Sequence, residues 1–277
     1  MLFRSICTQI AAMLHRRSAL ISFYIVLGFA LTNFLTNVMT YQGYDIINMV
    51  HPMQLLLLSD ESGILSFYFI QLYPLLVVLP AGFSFALDRE SNEVVFQSTR
   101  VGLKNYFLGK LFAAFLVTFF IFTFPLLLEI ALNCLAFPLN ATGNLDNVSF
   151  YDSNYIDNIR TYLWSGLFIA HPYFYAVFCI LLFGLVSGVL SIFTIAISTF
   201  RIEYKVLLFL PAWLLLHGVG MLGQLIPFLS VDTGYTVYLQ LYDSGPKSGA
   251  CYLLLVGCLA LYAFCVLFAK CREDWLQ

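Results

Sequence analysis

Charge is what this sequence has least of. Only 10% of its 277 residues are Asp, Glu, Lys or Arg, while 61% are hydrophobic and the mean hydropathy is +0.88. Soluble domains are about a quarter charged, so a water-soluble globular fold is excluded. The short segments of alternating hydrophobicity that build a membrane β-barrel are also missing. In their place stand continuous apolar blocks of about 20 residues or more, the length a helix needs to cross a bilayer. In lipid only helices and closed barrels satisfy every backbone N–H and C=O. The expected fold is an all-α polytopic membrane protein.

Catalytic signatures are as scarce as charge. The nearest approach to a phosphate-binding loop is "GLKNYFLGKL", from Gly102 to Leu111. A working loop needs four residues between the glycines and a Ser or Thr after the Lys, so that amides cradle phosphate and a hydroxyl reaches Mg²⁺. Here six residues intervene and Leu111 follows Lys110. The histidines (15, 51, 171, 217) form no H-E-x-x-H zinc motif, and no G-x-S-x-G nucleophile elbow occurs. Glu90 and Glu93 sit in a charged connector, outside the dry interior that a membrane protease requires. The seven cysteines lack the close pairs of a metal site or a disulfide framework. Cys251, Cys258 and Cys265 recur along one face of the last apolar block, which suits close helix packing. No catalytic residue, metal or cofactor is expected in this chain, and no nucleic-acid partner.

The apolar blocks predict six spans within a single transmembrane domain, at about 19–39, 64–87, 106–137, 173–199, 206–228 and 249–270. The third is longer than a bilayer needs and contains Pro125, so it is expected to tilt, kink or project. With the N-terminus inside, eleven of the 13 Lys and Arg residues fall on that side (Arg4, Arg16, Arg17, Arg89, Arg100, Lys104, Lys110, Arg201, Lys205, Lys270, Arg272). Arg160 and Lys247 alone fall outside, so both termini are placed in the cytoplasm. The outer segments collect Asp45, Asp60, Glu61, Asp146, Asp152, Asp157, Asp232 and Asp243. Residues 1–18 place Phe3, Ile6, Ile10, Met13 and Leu14 at helical spacing beside Arg4, Arg16 and Arg17, the pattern of an amphipathic helix lying at the lipid interface. No cleavable signal peptide is apparent. The long outer loop at about 138–172 holds two N-x-[ST] sequons, at Asn140 and Asn147, which matter only in a secretory context. The semi-apolar stretch at about 229–248 could lie at the surface or re-enter the membrane.

Polar groups inside the spans are few and cluster toward the outer half. The first span carries Thr32, Asn33, Thr36, Asn37, Thr40 and Tyr41 on one face. Gln71 lies in the second span, Glu129 and Asn133 in the third, His217 and Gln224 in the fifth. Such groups either hydrogen-bond between helices or line a pathway. Asn33, Asn37, Tyr41, Gln71, Glu129, Asn133 and His217 are therefore the candidate pathway residues. Gly184 and Gly188 form a G-x-x-x-G in the fourth span that admits a close neighbouring backbone.

One connector breaks the scarcity of charge. "FALDRESNEVVFQSTRVGLKNY" (Phe85 to Tyr106) gathers Asp88, Arg89, Glu90, Glu93, Arg100 and Lys104 within 22 residues, and adds Val94, Val95 and Phe96. Glu93 suits the first turn of a short helix, Ser91 could cap it and Gly102 could end it. Phe85, Asp88-Arg89-Glu90, Arg100, Gly102, Tyr106 and Lys110, read with the six-span layout and the basic N-terminal helix, resemble permeases of the ABC-2 type exporter family; Asn92 stands where that family often has Gly. The resemblance implies a multi-pass subunit of a cell (plasma or inner) membrane, expected to be bacterial. It implies a second permease half, identical or related, and a cytoplasmic ABC ATPase subunit that binds ATP and Mg. Residues 88–105 would then be the coupling loop. Asp88, Arg89, Glu90, Glu93, Val94, Val95, Phe96 and Arg100 would dock on the ATPase, driving alternating access for an amphipathic peptide, lipid or drug. The competing expectations are an ATPase-independent secondary transporter or channel, and, third, a membrane enzyme.

Overall fold

A computed structural model describes residues 2–45, 49, 51–59, 63–139, 162–200, 204–225, 234–240 and 248–270. Every regular element among them is helical: α1 (Leu2–Leu14), α2 (Arg17–Tyr41), α3 (Ile64–Leu76), α4 (Ser84–Glu90), α5 (Glu93–Val101), α6 (Leu103–Ala136), α7 (Ser165–Ala170), α8 (Pro172–Ser198), α9 (Phe209–Leu225), α10 (Tyr235–Leu239) and α11 (Gly249–Lys270). Single 3-10 turns cover Pro52–Leu55 and Lys205–Leu208. Among the described residues three helices, α2, α6 and α8, are long and apolar enough to cross a membrane. The chain is thus a helical membrane protein. The sequons, most of the outer acidic residues, Arg160, Arg201, Lys247 and Arg272 lie outside the described residues, as do the side chains of Lys205, Gln224 and Cys251.

The second expected span is not one helix. α3 stops at Leu76, residues 77–83 turn, and α4 begins at Ser84. Pro74 and Pro80 are the cause, since neither can donate a helical hydrogen bond. The interruption survives because it is enclosed: Val77, Val78 and Ala81 are buried, and Ser22 of α2 donates to the free carbonyl of Leu76 at 3.3 Å. Gly82 permits the tight path, for a Cβ there would sit 2.6 Å from the Val78 carbonyl and 2.9 Å from Thr194 Cγ2.

α6 and α8 form the spine. Lipid gives apolar helices no hydrophobic reason to associate, so close packing must hold them together. The G-x-x-x-G of α8 supplies it within this chain: Gly184 lies against Thr123 and Phe119 of α6, and Gly188 against Phe115. Around this contact Tyr73 meets Phe122 edge-on at 5.7 Å and Phe183 at 5.1 Å, and its hydroxyl lies 3.0 Å from Ser187 Oγ. α6 has 34 residues, about 51 Å of helix at 1.5 Å per residue. Its first turns meet α1, α4 and α5.

α1 is helical over Leu2–Leu14, within the expected 1–18. Its buried face is Ser5, Gln9 and Met13, packed along α6, while Phe3 and Leu14 are exposed. Ser5 sits over Gly109, where a Cβ would approach its Oγ to 2.6 Å. In the cysteine stripe of α11, Cys258 and Cys265 are exposed among the described residues.

Candidate functional site

Two polar clusters stand at opposite ends of the bundle. At the basic end, α4 delivers Asp88 to the start of α2 and of α6. Its carboxylate accepts from Arg16 Nη2 at 2.6 Å, Tyr106 Oη at 2.7 Å and Lys110 Nζ at 2.5 Å. Tyr106 and Lys110 are four residues apart, one above the other on the same face of α6. Lys110 also donates to Gln9 Oε1 at 3.1 Å, and Gln9 Nε2 reaches Gln97 Oε1 of α5 at 2.5 Å. Asp88 is 2% exposed and Lys110 1%. One carboxylate thus ties α1, α2, α4, α5 and α6 into a rigid node. Removing one partner of so buried a pair strands the other charge.

On that node sits α5. Asn92 adopts φ +57° between α4 and α5, and Gly102 adopts φ +86° between α5 and α6. The left-handed region favours Gly and tolerates Asn, so these two residues set both corners. Glu93 lies in the first turn and Arg100 in the last, each at the favourable end of the helix dipole. Ser91 does not cap α5; its hydroxyl donates back to the Leu87 carbonyl at 3.0 Å. Val94 points into the node and is buried, whereas Val95 is 45% exposed and Phe96 66%. Glu90, Glu93 and Arg100 are also exposed, and Arg89 is half-buried. The structure therefore divides the expected docking residues: Asp88 and Val94 face inward, and the others form an outward surface.

The second cluster lies at the far end, around a segment the sequence led us to treat as an external loop. Residues 52–59 are all buried, held within the bundle. His51 Nδ1 accepts from Met53 N at 3.2 Å, and its ring packs on Tyr173 at 5.1 Å. Asn33 Nδ2 donates to the Leu55 carbonyl at 2.9 Å and to Glu129 Oε1 at 2.7 Å; Asn37 Nδ2 donates to the same carbonyl at 2.7 Å. Glu129 Oε1 accepts in addition from Leu57 N at 2.9 Å. Asn133 is buried on the next turn of α6. Tyr41 packs edge-on against Phe137 at 6.2 Å. Five of the seven candidate pathway residues thus converge here. Gln71 is apart, exposed on α3, and His217 stacks on Trp213 of α9 at 4.3 Å.

Sequence inspection missed Gln9, Arg16 and Gln97 as members of the basic-end node. The signal was present: Lys110 with Tyr106 one turn before it, at the edge of a long apolar helix, calls for a carboxylate partner. It also missed the buried 52–59 segment, although four consecutive leucines (Leu55 to Leu58) are an unusual content for an external loop. The chain matches no protein-family model, no curated protein and no solved structure.

Proposed function

We propose that the chain is the transmembrane permease subunit of an ATP-driven exporter of ABC-2 type. In this proposal six spans cross the membrane, with α9 and α11 as the fifth and sixth, both termini in the cytoplasm, and α1 at the lipid interface. A second permease half and two ATP-hydrolysing subunits complete the assembly, which moves an amphipathic peptide, lipid or drug by alternating access. One observation carries it. α5 exposes Val95 and Phe96 at the basic end while its opposite face is fixed to the node through Val94 and the Gln9–Gln97 bond. An exposed aromatic on a rigidly mounted helix suits a groove on a partner subunit. Motion imposed on α5 would then reach α2 and α6 through Asp88. The test is ATPase stimulation and export in the assembled transporter: Phe96→Asp and Glu90→Arg are expected to abolish coupling with insertion intact. Full coupled transport in both variants would overturn the proposal.

A second function has one observation in its favour. The Glu129 carboxylate inside the bundle suits an ion-coupled transporter that needs no ATPase. Transport by the purified chain without ATP would select it.

A further inference from the structure

Glu129 is the sole carboxylate within α2, α6 and α8, and it is 1% exposed. Its Oε1 takes both hydrogen bonds, from Asn33 and Leu57 N. Its Oε2 is buried with no partner, as are both polar atoms of the Asn133 amide. No Lys or Arg occurs in these helices away from the basic end, where Arg17, Lys104 and Lys110 lie, and none occurs in residues 51–59. Among the described residues, the surrounding elements bring His51, Cys134 and Tyr173 to that end, with Tyr41 on α2 and Tyr175 on α8, and Tyr44 and Asp45 follow α2. His51 accepts from Met53 N and Tyr173 donates to the Leu139 carbonyl; none of these groups bonds Oε2.

Among the described residues no cation faces Glu129, and a carboxylate ion so placed costs far more than its neutral acid. We propose that Glu129 is a proton-binding site: it carries H⁺ on Oε2 while residues 52–58 are seated and releases it to water when they leave. The neutral acid keeps both N–H bonds on Oε1, its carbonyl oxygen, and so continues to anchor Leu57. On unseating, water reaches Oε2, the O–H bond breaks to leave carboxylate and a hydrated proton, and the ion stabilises the open arrangement. Proton occupancy and segment position are then linked in both directions. The linkage needs no ATPase, so it stands or falls apart from the proposed function.

The test uses the full chain in nanodiscs. Infrared spectroscopy should find a protonated carboxyl band near neutral pH that disappears in Glu129→Gln. In a Leu58→Cys reporter, labelling by a water-soluble maleimide is divided by that of the exposed native Cys7. The ratio should rise about ten-fold per pH unit while Glu129 titrates, in step with loss of the band, and stay flat when Glu129→Gln is added. Should Glu129→Gln fail to accumulate, the wild-type titration and the shifted band of Glu129→Asp carry the same comparison. Three results overturn the proposal: no such band, labelling that ignores the band's titration, or labelling that follows sodium at fixed pH.

Discussion

Asp88 and Lys110, both almost wholly buried, meet at 2.5 Å where α4 crosses the first turns of α6. Neither charge has water to fall back on; Asp88 keeps Arg16 as a second cation, whereas Asp88 is the one carboxylate paired with Lys110 among the described residues. Asp88→Ala should destabilise the chain by about 3–5 kcal/mol, because it leaves the ammonium unpaired. Asp88→Ala combined with Lys110→Met should recover much of that loss. Thermal unfolding of the four species in detergent checks it; additive losses would show that the pair is not coupled.

The two faces of α5 should respond differently. Val94→Asp buries a charge against the node and should lower stability and yield. Phe96→Asp changes a residue that is 66% exposed and should stay within about 0.5 kcal/mol of wild type. Melting temperatures separate the two, and equal losses would mean that Phe96 packs within the chain.

Close contact between α6 and α8 predicts a rescue. A Cβ at Gly184 would lie 2.0 Å from Thr123 Oγ1, so Gly184→Ala should cost about 1–3 kcal/mol by overpacking. Adding Thr123→Ala removes the obstructing hydroxyl and should restore most of it. A double variant no better than Gly184→Ala would place the strain elsewhere.

His51 predicts acid sensitivity at the far end. Burial pushes its imidazole below the ordinary histidine value, and Nδ1 must be unprotonated to accept from Met53 N. The folded value is the lowered one. Its contribution is therefore complete above about pH 6.5, the unfolded value, shrinks as pH falls below that, and is gone once pH passes the folded value. Melting temperature should fall over that window and should not do so in His51→Asn, which can accept the same amide without titrating. This runs opposite to Glu129, whose ionisation loosens the segment as pH rises.

Long apolar helices were legible in the sequence because their signal is continuous: 19–39 was expected where α2 covers Arg17–Tyr41, and 173–199 where α8 covers Pro172–Ser198. The break after Leu76 was not, since apolar composition alone does not separate a helix from an enclosed turn; Pro74 and Pro80 were its only marks. The charged connector was legible as a short helix, with Glu93 and Gly102 at its ends. Which of its residues face inward was not, because Asp88 is buried by partners as distant as Arg16 and Lys110. Glu129 stood out as a lone carboxylate and Asn33 as a polar neighbour, but its second partner is the backbone of Leu57, which no side-chain pattern announces.

The most direct measurement is site-specific photocrosslinking from position 96 in native membranes, followed by identification of the captured protein and assay of ATP hydrolysis. If α5 is the docking helix of an exporter, the crosslinked partner hydrolyses ATP, the complex exports only with ATP, and Phe96→Asp abolishes both capture and export. Transport by the chain alone without ATP, with position 96 capturing no ATP-hydrolysing subunit, would contradict it.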